Sequence, residues 1–139
     1  MPGPPKATGG CLCGAVRFRT TAAPLLVSYC HCRTCQRSAG APVVAWATYA
    51  ADAFHPTTGL LAEHASSPAV RRGFCALCGT SVTYRTVPDP GWLDVTVASL
   101  DDPSGFEPEV HGWTADAMPW LRLGDRLPRR PGAIAPTSP

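Results

Sequence analysis

Residues 30–35 read CHCRTC, three cysteines and a histidine in six positions of a chain that has seven cysteines in all. Thiolate and imidazole are the donors zinc prefers. A structural zinc takes four of them in a tetrahedron, whereas a catalytic one keeps three protein ligands and an exchangeable position. The other four cysteines form two pairs, Cys11 and Cys13 in CLCG and Cys75 and Cys78 in CALCG. CALCG reads as a knuckle, in which two cysteines three apart aim sulfur at one point and Gly79 takes the positive φ of the tight turn. Joining Cys11 and Cys13 to Cys75 and Cys78 completes four ligands and ties the start of the domain to its middle. Spacing alone also allows the central cluster to lend a ligand to either pair.

The central trio, Cys30, Cys32 and Cys35, has its own geometry. In extended backbone, side chains at i and i+2 point the same way, so Cys30 and Cys32 share a face and His31 looks to the other. A short turn from Arg33 onward returns Cys35 to the metal side. His31 is therefore expected in packing or in a hydrogen bond behind the ligands. The trio is either an open three-ligand site or one closed by His55, His64, His111 or a carboxylate. A Cys32/Cys35 redox dithiol is the weaker alternative, because no βαβ pattern accompanies it.

These ligands need elements to position them. With 139 residues the chain suits one core, and a domain of that size buries roughly two-thirds of its unfolded surface without cross-links. AVRFRT (15–20), SVTYR (81–85) and WLDVTV (92–97) alternate apolar and polar residues, the period of half-buried strands. Residues 25–29 and 43–46 are continuous apolar runs, expected as strands covered on both faces. Helix is expected only as a short turn after Cys32 and another near 115–120. Residues 1–8 read as a flexible lead-in, 9–127 as one zinc-binding domain and 128–139 as a flexible tail. Trp46, Trp92, Trp113 and Trp120 are expected to supply core area. Arg71, Arg72, Arg129 and Arg130 are expected on a solvated rim, and Asp94, Asp101 and Asp102 as solvated turn residues.

A formal net charge of +2 and 16% charged residues give no basic stripe for a nucleic acid. No apolar run reaches the ~20 residues of a membrane helix, and MPGPPKATGG lacks the apolar core of a secretory signal, so a cytoplasmic location is expected. In that reducing compartment, metal binding explains clustered cysteines better than disulfides do.

Five blocks in this order carry a resemblance: GGCLCGAVRF, YCHCRTCQRSAG, RRGFCALCGTSVTYR, WLDVTVASLDDP and EVHGWTADAMPWL. Together they resemble the glutathione-dependent formaldehyde-activating enzyme family, which also contains centromere protein V, over residues 9–123. The resemblance implies a mainly β, Mss4-like fold of short antiparallel sheets stapled by zinc. It also implies two zinc ions: a structural one on Cys11, Cys13, Cys75 and Cys78, and one with an available position on Cys30, Cys32 and Cys35. One departure is Gln36, where relatives often carry arginine after the third cysteine.

Three thiolates donate heavily to a metal, which weakens its pull on water and suits a thiol ligand better; a thiol bound to zinc loses its proton. The activity implied is that of a carbon-sulfur lyase, adding a small glutathione-like thiol reversibly to an aldehyde such as formaldehyde. The contrasting expectation is a non-catalytic zinc-stabilised interaction module. A third is an oxidant sensor that releases zinc. His111 and Trp113 are candidates for closing the site, with a surface or supporting role expected first for His111.

Overall fold

Alternation of apolar and polar residues decides where this chain becomes extended, and hydrogen-bond register then decides which side chains share a face. The computed structural model describes residues 6–134. In chain order its strands are β1 (Thr8–Gly10), β2 (Arg17–Thr20), β3 (Leu26–Cys30), β4 (Val44–Ala50), β5 (Phe54–Thr58), β6 (Ala62–Ser67), β7 (Val70–Phe74), β8 (Ser81–Thr86), β9 (Trp92–Thr96) and β10 (His111–Gly112). One α-helix, α1 (Arg33–Ala39), follows β3. The fold is mainly β, as the sequence predicts. Near residue 115 there is a single 3-10 turn, Thr114–Asp116. Among the described residues no helix is long and apolar enough to cross a membrane.

The strands form two sheets, one of three in the order β1-β2-β5 and one of seven in the order β10-β3-β4-β9-β8-β7-β6. All pairings are antiparallel except β10 with β3. In the large sheet Val27 faces Ala47, and Ala47 faces Val95, so these side chains stand on one face. That face is the core: Val27, Ala47, Tyr49 and Val95 are buried together with Phe18 from the small sheet, whose ring meets Phe54 at 5.0 Å. Each large apolar side chain fully buried there contributes roughly 1.5–3 kcal/mol.

The opposite face carries different chemistry. Leu26 faces Thr48, Thr48 faces Asp94, and Asp94 faces Tyr84, while Ser28 faces Trp46 one step along. Cys30 ends β3 on this same face. Among the described residues no second sheet covers it. Instead α1 and the segment after β10 border it and leave a cavity.

Two expectations about the ends change. Thr8–Gly10, partly assigned to the lead-in, pairs with β2. Residues 128–134, expected as a loose tail, lie along β10: Arg129 bridges to His111, the His111 N–H donates to the Pro128 carbonyl at 2.9 Å, and the Trp113 N–H donates to the Gly132 carbonyl at 2.9 Å. Backbone bonds hold this segment, and they leave no mark in side-chain pattern. Residues 1–5 and 135–139 lie outside the described residues.

At Gly9 the small sheet packs closely against the segment after β9, to which it is bridged at Leu100. A Cβ there would stand 2.5 Å from Phe18 Cζ and 2.6 Å from the Ser99 carbonyl oxygen. Gly9→Ala is expected to lower stability by about 1–3 kcal/mol, the usual cost of overpacking. A urea midpoint within error of the parent protein would contradict this close approach.

Candidate metal centres and the adjoining cavity

Cys11 and Cys13 lie in the connection between β1 and β2, and Cys75 and Cys78 in that between β7 and β8, so the two pairs come from different sheets. Each turn is closed by backbone bonds: the Cys11 N–H donates to the Val16 carbonyl at 3.0 Å and the Cys75 N–H to the Thr80 carbonyl at 3.0 Å. Gly14 and Gly79, one residue after each pair, both have φ of 80°, where a β-carbon is strained. The four sulfurs lie within 4.8 Å of one another. Four sulfurs at 2.3 Å from a tetrahedral ion stand about 3.8 Å apart. The Cys11–Cys13 and Cys13–Cys75 separations, 3.6 and 3.8 Å, match that spacing. A hydrogen bond from the Thr80 hydroxyl holds the Cys78 pKa down, to about 5, favouring the thiolate.

The second cluster joins a strand to a helix. Cys30 ends β3, Cys32 is the N-cap of α1, and Cys35 lies in the first turn of that helix. The Cys32 sulfur accepts from the Cys35 N–H at 3.3 Å, so the capping atom of the helix is itself a candidate ligand. All three sulfurs lie within 4.8 Å of one another, and among the described residues no histidine, carboxylate or further cysteine joins that group. The Cys30 thiol is pushed far up by hydrogen bonding to Cys32 and then Cys35, while the same contacts hold Cys32 far down. Three sulfurs this close cannot all ionise unless a cation shares them, and soft thiolate donors suit a zinc-type ion.

His31 turns away from the trio and is buried. Its Nε2 lies 2.8 Å from His111 Nδ1, and His111 Nε2 lies 3.0 Å from Asp125. Asp125 accepts only, so His111 donates from Nε2 and its Nδ1 accepts from His31. His111, expected first in a surface or supporting role, takes the supporting one: it is 1% exposed and stacks on Tyr29 at 4.7 Å. The row anchors the segment after β10 to the residue between two candidate ligands.

Beside the trio, between the open face of the large sheet and α1, lies a cavity of about 590 Å³. Trp46, Tyr84 and Trp92 form its floor and Trp113 one edge. Trp46 keeps the core assignment and the other three tryptophans depart from it. Trp46 is buried but faces the cavity, Trp92 is half-buried, and Trp113 and Trp120 are 42% and 64% exposed.

A sequence profile described as "Glutathione-dependent formaldehyde-activating enzyme" matches residues 6–116. The chain belongs to this family. Among its relatives is a Schizosaccharomyces pombe protein described as an uncharacterized lyase, 29% identical over 80 residues. That match spans 58% of each chain. Among solved structures, a Rhodobacter sphaeroides protein determined as a structural genomics target has 25% identity and a TM-score of 0.57, over 68% of this chain and 87% of that one.

Gln36 has a visible local role. Its Nε2 donates to the His31 carbonyl at 2.7 Å and the Asp116 carbonyl at 3.1 Å, and its Oε1 accepts from Arg33 at 2.5 Å. It braces the helix against the later segment and is not on the cavity wall.

Three residues of the site went unrecognised in the sequence. Arg72, expected on a solvated rim, is 6% exposed; it donates to Cys35 Sγ at 3.5 Å and Thr34 Oγ1 at 3.2 Å and lies over the Tyr84 ring at 5.0 Å. Tyr84 and Asp94 reach the cavity because β8 and β9 register them opposite one another. Alternation in SVTYR and WLDVTV gives their faces, but no local signal says that the polar face of this sheet is the functional one. Asp101 matches its expected exposure but pairs with Arg17 at the start of β2.

Asp94 is a strand residue rather than a solvated turn residue. Burial pushes its carboxyl up to about 6 from 3.8, opposed by the Thr48 hydroxyl, which donates to Oδ1 at 2.5 Å. The native state thus holds this proton more tightly than the unfolded chain does, so the stability associated with it is present below pH 3.8 and is lost as pH rises through 6. Asp94→Asn is expected to stabilise the protein at pH 7.5 by on the order of 1–3 kcal/mol, with the gain vanishing toward pH 4. Melting curves of both proteins across that range test the sign: equal gains at both ends would remove burial as the cause.

Proposed function

We propose that the chain is a zinc-dependent, carbon-sulfur lyase-type enzyme that adds a small thiol reversibly to an aldehyde such as formaldehyde. In this reading Cys11, Cys13, Cys75 and Cys78 hold a structural zinc, and Cys30, Cys32 and Cys35 hold a second zinc facing the cavity. The observation that carries it is the convergence of three sulfurs, with no fourth side-chain donor beside them among the described residues, at the edge of an aromatic cavity. Family membership and the lyase-named relative support the same class of reaction. The relative's match covers little more than half its length, so the substrates named here rest on the site.

Cys30, Cys32 and Cys35 would hold the zinc, which would supply a position at which a thiol is deprotonated. The reaction forms one carbon-sulfur bond, breaks the carbonyl π bond and leaves the thiol's proton on the new hydroxyl. The chain's own residues prepare the place. Arg72, with its charge against Cys35 Sγ, offsets the excess negative charge of three thiolates. The N–H of Cys35 orients the Cys32 sulfur, and α1 holds both in one turn. Trp46, Tyr84 and Trp92 give the aldehyde a dry wall, which limits competition from water.

Exchange between free aldehyde and hemithioacetal, followed by NMR with a panel of thiols, is expected to run faster than in buffer. Cys32→Ser is expected to abolish the acceleration while the protein stays folded. Acceleration that survives in a folded Cys32→Ser protein would move the chemistry elsewhere, and no acceleration with any thiol would end the proposal.

The outer cysteines have a different readout. Cys75→Ser is expected to lose metal and fold poorly, because the free energy of binding a structural zinc is also free energy of folding. An unchanged melting temperature with full zinc content would overturn the structural assignment.

A further inference from the structure

We propose that the thiol taken by this cavity carries a protonated amine at its far end, and that Asp94 is the residue that recognises it. This rests on the reading above, that a thiol sulfur enters beside the central trio.

The charges on the cavity wall are few. Apart from the cysteines they are Arg33, Arg72, Asp89, Asp94 and Asp116. Arg72 is turned toward Cys35, Thr34 and Ser66 and covers Tyr84. Arg33 is an exposed residue whose guanidinium donates to Gln36. Three carboxylates thus face two arginines that already have partners, and three thiolates around a divalent ion add a further net negative charge. A thiol whose far end is a carboxylate meets repulsion here. An ammonium meets attraction, and the faces of Trp46, Tyr84 and Trp92 are the surfaces that favour a desolvated cation.

Asp94 is the one acid of the three that is not at the exposed rim. Its only hydrogen bond from a side chain is from Thr48, a neutral donor, and no cation pairs with it among the described residues. Burial raises its pKa to about 6, so it is ionised at neutral pH in a place that penalises the charge. An uncompensated carboxylate of this kind costs stability, and a cationic ligand offsets that cost.

Sheet geometry sets the reach. Cys35 packs against Trp46, and Thr48 lies two residues further along β4 with Asp94 opposite it on β9. Two residues along a strand are about 7 Å and one strand across is about 5 Å, so Asp94 is displaced by roughly 8 Å from the trio's end of the floor. A flexible chain of about six carbons between sulfur and nitrogen covers that span.

The test uses the zinc-loaded protein and reads tryptophan emission, because three tryptophans line the cavity. Aminohexanethiol and mercaptohexanoic acid have equal length and opposite charge. The aminothiol is expected to bind roughly tenfold tighter or better, the scale of one desolvated charge-assisted contact. In Asp94→Asn the ratio is expected to fall toward one, and in Asp94→Glu to persist. Equal affinities, tighter binding of the acid, or an unchanged ratio in folded Asp94→Asn would each overturn the inference. If the asparagine variant does not fold, the parent protein's ratio and that of Asp94→Glu decide.

Cobalt(II) in place of zinc separates this failure from that of the proposed function. A change in the cobalt spectrum with both thiols, but no preference for the amine, removes only the role of Asp94. No change with either thiol removes the thiol reading and this inference with it.

Discussion

Like charges held a few ångströms apart are the constraint around which this protein is organised. Seven thiols are gathered into two clusters, each with sulfurs within 4.8 Å of one another. In such a group a thiolate is tolerated only by keeping its neighbours protonated or by sharing a cation. The first cluster draws its members from two hairpin turns in two different sheets, so a cation there binds the sheets together. The second draws them from one strand end and one helix start, so a cation there fixes a local turn and leaves the sheets unaffected. With a cation bound, the same electrostatic rule would give an architectural result in one place and a chemically available face in the other.

The large sheet turns this difference into a site. One of its faces is filled by Val27, Ala47, Tyr49 and Val95 against Phe18 of the small sheet, and supplies the burial that folding requires. The other face is released from that task. It holds Trp46, Thr48, Tyr84 and Asp94, a mixture of aromatic, hydroxyl and acid that no hydrophobic core would accept. The row His31, His111 and Asp125, its two histidines buried, then fixes the later segment against β3, which closes one side of the cavity without filling it. Gln36 repeats the tie from the helix.

Much of the architecture was legible from residue order because it is local. Alternation marked β8 and β9, the continuous apolar runs marked β3 and β4, and i/i+2 geometry turned His31 away from the two cysteines that flank it. The β5, β6 and β7 strands were not legible. AEHASS has no strong strand former and FHPTT is interrupted by Pro56, so their conformation comes from pairing with neighbours. Arg72 and Asp94 were misread for one shared reason. Each is polar and was given a surface by default, whereas each is enclosed by residues distant in sequence. Trp92 and Trp113 depart in the opposite direction, because their size suggests a core and here they line a cavity.

The cost of that cavity is carried by particular groups. Asp94 is held partly desolvated with a hydroxyl for its partner, and Arg72 gives up solvent to lie between a thiol and a ring. Neither arrangement helps the chain to fold on its own, since burying a charge opposes folding unless its partners repay the lost hydration. Both persist because the core face and the clamp between hairpins are independent of them. A fold that placed its ligands, its acid and its core on one shared face would have to trade each against the others; two faces of one sheet remove that conflict.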